Sequence, residues 1–255
     1  MFNQAIFRFT RKLAGCMAFL LAPFLLQSSS FAQEAISTKA LSPVIVNSVA
    51  GSFQAKYKDL LNGYKMFNKK KHYAPRSDMM FFVDDTSAKG NSLPLEIKFE
   101  TRDSFYDVPV NDADFFSLPS PNQIGLKNSK MLANRRKDTI IIHPIVRTIT
   151  DGVNITHLGD LRLECEVSWE IQKSAVPFYI RSAFFAAGRV CHSKHIAFSF
   201  YSPRLLSSVT LRSGSRVKTF RVARDGHTYS VPVYDSTWAD DSVVEFNYPL
   251  VSSGK

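Results

Sequence analysis

The stretch "LRLECEVSWEI", Leu161 to Ile171, alternates apolar and polar residues without a break. At a period of two, Leu161, Leu163, Cys165, Val167, Trp169 and Ile171 face one way, while Arg162, Glu164, Glu166, Ser168 and Glu170 face the other. The pattern predicts a half-buried strand that points Cys165 into the core. It makes β-sheet the organising element of the second half of the chain. The preceding "TDGVNITHLGD" supplies turn residues.

Downstream the period changes. "SAVPFYIRSAFFAAGRVC" offers a cap at Ser174 and a proline near the first turn, with Phe178, Ala183, Phe184 and Ala187 on one side, so a helix is expected over 174–189. Beyond it, "HIAFSFYS", "RLLSSVTLRS", "VKTFRVAR", "HTYSVPVYD" and "SVVEFNYP" read as short, evenly spaced strands, as in a sandwich or small barrel.

Upstream, a helix is expected over 52–67. Phe53, Tyr57, Leu60, Leu61, Tyr64 and Phe67 form its apolar stripe and Ser52 caps it. Lys69, Lys70, Lys71 and His72 follow, where positive charge suits the helix dipole. "MMFFVDD" and "LPLEIKFETRD" then alternate as strands do. "VPVNDADFFSLP" (108–119) resembles "RVARDGHTYSVP" (221–232) at an offset of 113 residues, and each reads as strand, tight turn and strand. The likeness fits either two similar β units or two unrelated hairpins.

The expected fold is therefore mainly β with a pair of helices (α+β), in antiparallel sandwich-like sheets that could form two prealbumin- or Ig-like units. Residues 33–145 would hold the first helix and β unit. Residues 146–255 would hold a second β unit with an inserted helix and one disulfide.

Residues 1–32 set the address. Arg8, Arg11 and Lys12 precede an apolar run from Leu13 to Leu26, and Ser30 and Ala32 occupy the small positions of a cleavage site. This predicts a secretory signal cut after Ala32 and a periplasmic or secreted product. The apolar run is shorter than the roughly 20 residues of a membrane span. "LAGC", ending at Cys16, has the pattern of a lipoprotein site, but the apolar segment of such a signal must precede the cysteine and here it follows. Cys16 is thus not expected to be acylated.

Cleavage leaves Cys165 and Cys191, which in an oxidising compartment are expected to form one disulfide. It also takes three of the 32 lysines and arginines and no acid, so 29 remain against 22 acids, a net +7. That balance suits anionic partners such as lipid head groups or glycans; nucleic acid is not expected. Between Tyr201 and Arg224 the chain carries Arg204, Arg212, Arg216, Lys218, Arg221 and Arg224 with no acid, a candidate surface for such contact.

Catalytic constellations are harder to find. There is no G-x-S-x-G elbow and no phosphate-binding glycine loop. His192 and His195 in "HSKH" are weak metal candidates without further ligands close in sequence. Asn111, Asp112 and Asp114 offer oxygens but lack the rest of an EF-hand loop, and turn chemistry explains Asp112 and its counterpart Asp225. No metal, cofactor or catalytic residue is assigned.

"LGDLRLECEV", with the Cys191 region and "VPVYDSTWADDSVVEF", resembles segments of uncharacterised exported proteobacterial proteins over the last hundred residues or so. That resemblance implies export and no particular activity. The Asp-Gly hairpins resemble prealbumin-like sandwich modules at the level of fold alone. The expected function is a binding or structural role in the bacterial cell envelope, for a partner such as anionic glycan, lipid head groups or another protein. An envelope hydrolase acting on glycan or peptide is the alternative.

Overall fold

The computed structural model describes residues 7–9, 52–86, 94–120, 122, 126–148 and 154–249. The cut after Ala32, Cys16 and the segment Gln33–Pro43 lie outside the described residues.

The protein is mainly β with three helices among the described residues. The first half holds β2 (Ser52–Lys56), α1 (Tyr57–Lys69), β3 (Ser77–Asp85), β4 (Ile97–Glu100), β5 (Phe105–Val108), β6 (Phe115–Phe116), β7 (Lys130–Arg136) and β8 (Ile140–Thr148). They form two antiparallel sheets, ordered β2-β7-β4-β5 and β6-β3-β8. β9 (Ile155–His157) leads into α2 (Leu158–Gln172) and α3 (Phe178–Ala186). There follow β10 (Ile196–Phe198), β11 (Phe200–Tyr201), β12 (Ser208–Ser213), β13 (Arg216–Arg221), β14 (Thr228–Tyr229) and β15 (Val243–Asn247). The sheet β13-β12-β15-β9 is the main one of this half, and β11 pairs with β14. A short strand β1 (Phe7–Phe9), within the expected leader, pairs with β10.

The stretch Leu161 to Ile171 is part of a helix, α2, not a strand. Its alternation conceals four stripes at helical spacing. Leu158, Leu161, Cys165 and Trp169 face the core of the second half, while Leu163, Val167 and Ile171 face α1 and Val146. Asp160, Glu164 and Ser168, four apart, are buried polar residues. Arg162 and Glu166, also four apart, reach a surface cleft. A helix covered on several sides has no single apolar face, so its periodicity does not show as an amphipathic stripe.

α2 joins the two halves. One hydrophobic cluster gathers Tyr57, Leu60, Phe81, Phe99, Phe116, Leu126 and Met131. A second gathers residues of α2, α3 and the last strands around Trp238. A third, Phe67, Ala74, Val146, Leu163 and Val167, lies between them. Gly63 permits the close approach of α1 to α2, because a Cβ there would sit 2.4 Å from Ile171 Cγ1.

Other local readings need correction. Ser52 does not cap α1: Ser52–Lys56 is strand and the helix begins at Tyr57. Tyr64 is exposed, and Gly63 takes the inward position beside it. The helix expected over 174–189 spans only Phe178–Ala186, after Pro177, and Phe178 points outward. "VPVNDADFFSLP" is not a hairpin, since β5 pairs with β4 and β6 with β3. The turns also differ: Asn111 Oδ1 accepts the Ala113 and Phe115 N–H groups, whereas in the later copy Asp225 Oδ1 accepts those of His227 and Thr228. The alternation of "LEIKFE" does match its strand, with Ile97 and Phe99 buried.

Candidate functional site

The N-terminus of α2 is fixed by Asp160. This fully buried carboxylate accepts hydrogen bonds from Thr148 Oγ1 (2.8 Å), Thr156 Oγ1 (2.9 Å) and the His157 N–H (3.1 Å). A negative charge in the first turn also suits the helix dipole. Gly159 must be glycine here, because a Cβ would lie 2.1 Å from the Tyr73 carbonyl oxygen and 3.1 Å from Asp240. Tyr73 and Asp240 are thereby both drawn in against the helix start.

One helical turn later Arg162 holds the loop that follows β14. Its Nε donates to the Val233 carbonyl at 2.9 Å, and its Nη2 to those of Asp235 (2.8 Å) and Trp238 (2.9 Å). Its Nη1 pairs with the Asp240 carboxylate. Arg162 is spent on this scaffold. Four residues on, Glu166 meets His192 Nε2 at 2.7 Å, and the Cys165–Cys191 disulfide fastens the residue before His192 to the same helix.

Between these elements lies an open cleft of about 350 Å³ lined by Tyr73, Glu166, His192, Tyr234, Ser236 and Asp240, with the disulfide in its wall. This is near the lower end of small-ligand sites, which run from roughly 300 Å³ upward. Partial burial, and then the negative charges of Glu166 and Asp240, raise the Tyr73 phenol above its ordinary value, so it remains a hydrogen-bond donor. The cleft thus offers a phenolic donor, two carboxylates, an imidazole and two tyrosine rings.

The residues singled out from sequence fall differently. Of "HSKH", His192 lines the cleft and His195 does not. No group of three or more metal-capable side chains exists among the described residues. Glu164, Glu166 and Glu170, expected on one strand face, diverge: Glu164 is buried against Arg147, Glu166 faces the cleft and Glu170 pairs with Lys173.

The basic residues of 201–224 lie on and around the β12-β13 hairpin. Arg212 and Arg221 share the outer face with Glu245, which binds Arg212 at 3.1 Å. Lys218 and Arg216 alternate onto the other face. Arg216 stacks over Trp238 at 3.7 Å and Arg204 over Tyr248 at 3.9 Å. The positive charge is split between two sheet faces. On β13, an edge strand, it also discourages edge-to-edge pairing with another sheet.

A second cluster of ionisable groups bridges the halves. The His143 ring stacks on Tyr201 at 4.2 Å, Tyr201 stacks on His227 at 5.3 Å, and the Phe82 ring lies 5.7 Å from that of Tyr201. Tyr201 hydrogen-bonds Asp84, whose carboxyl burial pushes upward. His143 Nε2 is buried without a hydrogen bond, 4.0 Å from Asp84. Burial lowers the His143 imidazole to about 4. Its unfolded value is about 6.5, so below that pH the unfolded chain binds a proton that the native state refuses until near pH 4. Stability is therefore full above pH 6.5 and falls as the pH is lowered, with Asp84 opposing the fall. His143 alone accounts for on the order of 2 kcal/mol between pH 7 and pH 5. Urea unfolding at the two pH values should show that loss in the wild type and a smaller one in His143→Phe; equal losses would contradict this account.

Comparison of the chain with protein-family models, with curated proteins and with solved structures finds no match in any of the three.

Proposed function

We propose that this is an exported binding protein of the bacterial cell envelope, released after cleavage at Ala32 and not lipid-anchored at Cys16, that holds a hydroxyl-rich unit of an envelope glycan in the cleft beside its disulfide. The observation that carries the reading is the convergence of Tyr73, Glu166, His192, Tyr234 and Asp240 on one cavity of about 350 Å³. Carboxylates accept from sugar hydroxyls, the phenol donates, and tyrosine rings cover apolar sugar faces. The disulfide supports an oxidising compartment.

Calorimetric titration with disaccharide fragments of cell-wall glycan is expected to show saturable binding. Glu166→Gln should weaken it by about tenfold, the scale of one charge-assisted hydrogen bond. Absence of saturable binding across neutral and acidic glycan fragments, or binding indifferent to Glu166→Gln, would overturn the reading. N-terminal sequencing of the exported protein should begin at Gln33.

A second reading rests on the 2.7 Å contact between Glu166 and His192. A carboxylate-oriented imidazole facing a cleft is the arrangement of a general base, which would make the protein a hydrolase of the same glycan. Release of reducing ends by the wild type and not by His192→Ala is the result that favours it.

A further inference from the structure

We propose that α3 is a membrane-docking element that lies flat on an anionic lipid surface. The inference goes beyond the cleft and does not depend on what the cleft binds.

The helix is exposed in an unusual way. Its outward residues are Phe178, Tyr179, Ser182, Ala183, Phe185 and Ala186, and the three aromatics are 75 %, 73 % and 70 % exposed. Spacings of three and four place all six on one face. Only Phe184 is buried, against Trp169 in the core of the second half. A helix facing water ordinarily carries charge on that side; this one carries none there and gathers large apolar area instead. The helix stops at Gly188 and Arg189, both at positive φ, so the aromatic face is short and bounded.

Charge selects the occupant. Arg181 lies 5.9 Å from the Phe178 ring and Arg189 lies 5.7 Å from that of Phe185, so a guanidinium flanks each phenylalanine. From Ile171 to Arg224 the chain contains ten lysines and arginines and no aspartate or glutamate. Exposed aromatics flanked by arginines suit the headgroup zone of a bilayer, where rings enter the acyl boundary and arginines meet phosphate. No helix among the described residues is long and apolar enough to cross a membrane, so α3 would act as a peripheral contact. A second copy of the chain would have to place the same arginines against one another across a two-fold axis, which disfavours that occupant.

The test is co-sedimentation of the mature, oxidised protein with phosphatidylcholine vesicles, with and without about 30 % phosphatidylglycerol. Binding is expected only with the anionic lipid, to fall at least about fivefold for Phe178→Ser/Phe185→Ser, and to weaken in high salt. Tyr179→Trp should show a blue-shifted emission on binding, which places the helix itself in the interface. Circular dichroism and cleft titration of the serine variant check that it remains folded. The proposal is overturned by equal retention of wild type and serine variant. It is overturned equally by wild-type dimerisation that the serine substitutions abolish, or by cross-links showing that residues 33–51 cover α3.

Discussion

Glu164→Ala should destabilise the protein by about 3–5 kcal/mol, which for a chain of this size lowers the thermal midpoint by on the order of 10 °C. Glu164 is buried, and its Oε2 accepts from the Val146 N–H at 3.0 Å and from Arg147 Nη1 at 2.6 Å. Arg147 also donates to its neighbour's carbonyl and lies 5.6 Å from the Phe246 ring. Removing the carboxylate strands a backbone donor on β8 and leaves a guanidinium largely out of water without its counter-charge. The size of the effect comes from that leftover charge more than from the pair's own attraction. Glu164→Leu/Arg147→Met, which removes both charges, should therefore recover most of the loss. Denaturant unfolding of the three proteins decides it. A loss below about 1 kcal/mol in Glu164→Ala would mean that Arg147 swings out to solvent.

Cys165→Ala/Cys191→Ala should lose about 3.5 kcal/mol, the chain-entropy value for a loop closed across 26 residues. Cys165 is fully buried on α2, and its partner precedes His192, so the bond also fixes one wall of the cleft. The double variant should therefore lose cleft affinity together with stability, whereas Glu164→Ala, on another stripe of α2, should lose stability with cleft affinity kept wherever the protein remains folded. Peptide mapping of the non-reduced protein gives the direct check on the pairing. Free thiols at both positions would remove the basis of the prediction.

Glu164 and Cys165 sit on the element that sequence periodicity misreads. The strands were legible because a sheet buried on one face writes its environment into alternate positions, as Ile97 and Phe99 show. The apolar stripe of α1 was legible for the corresponding reason at a period of 3.6, apart from Phe53, which belongs to β2, and the exchange of Tyr64 for Gly63. α2 was not, because three of its inward positions are polar: Asp160 reads as part of a turn, and Glu164 and Ser168 as the wet face of a strand, until Thr148, Val146 and Arg147 are seen opposite Asp160 and Glu164. The cleft was hidden by the same misreading. On a strand Arg162 and Glu166 are two residues among five facing solvent; on a helix they form an i, i+4 pair aimed at one place. Tyr73, Tyr234 and Asp240 come from distant segments, and only folding brings them near. The two cysteines were legible from count and compartment alone.

The placement of α2 between the halves also governs the order in which the chain can become native. α1 buries its glycine face against Val167 and Ile171, more than a hundred residues later in the chain. A polypeptide emerging N-terminus first, from a ribosome or through a translocation pore, cannot cover the Gly63 side of α1 until almost all of α2 has followed. Until then the side of α1 that carries Gly63 and Phe67 waits for its α2 partners, and the cysteine on α2 still waits for a partner 26 residues behind it. Joining of the two halves is thus a late step, and the interval before it is when a chaperone or an oxidising catalyst would have most to act on.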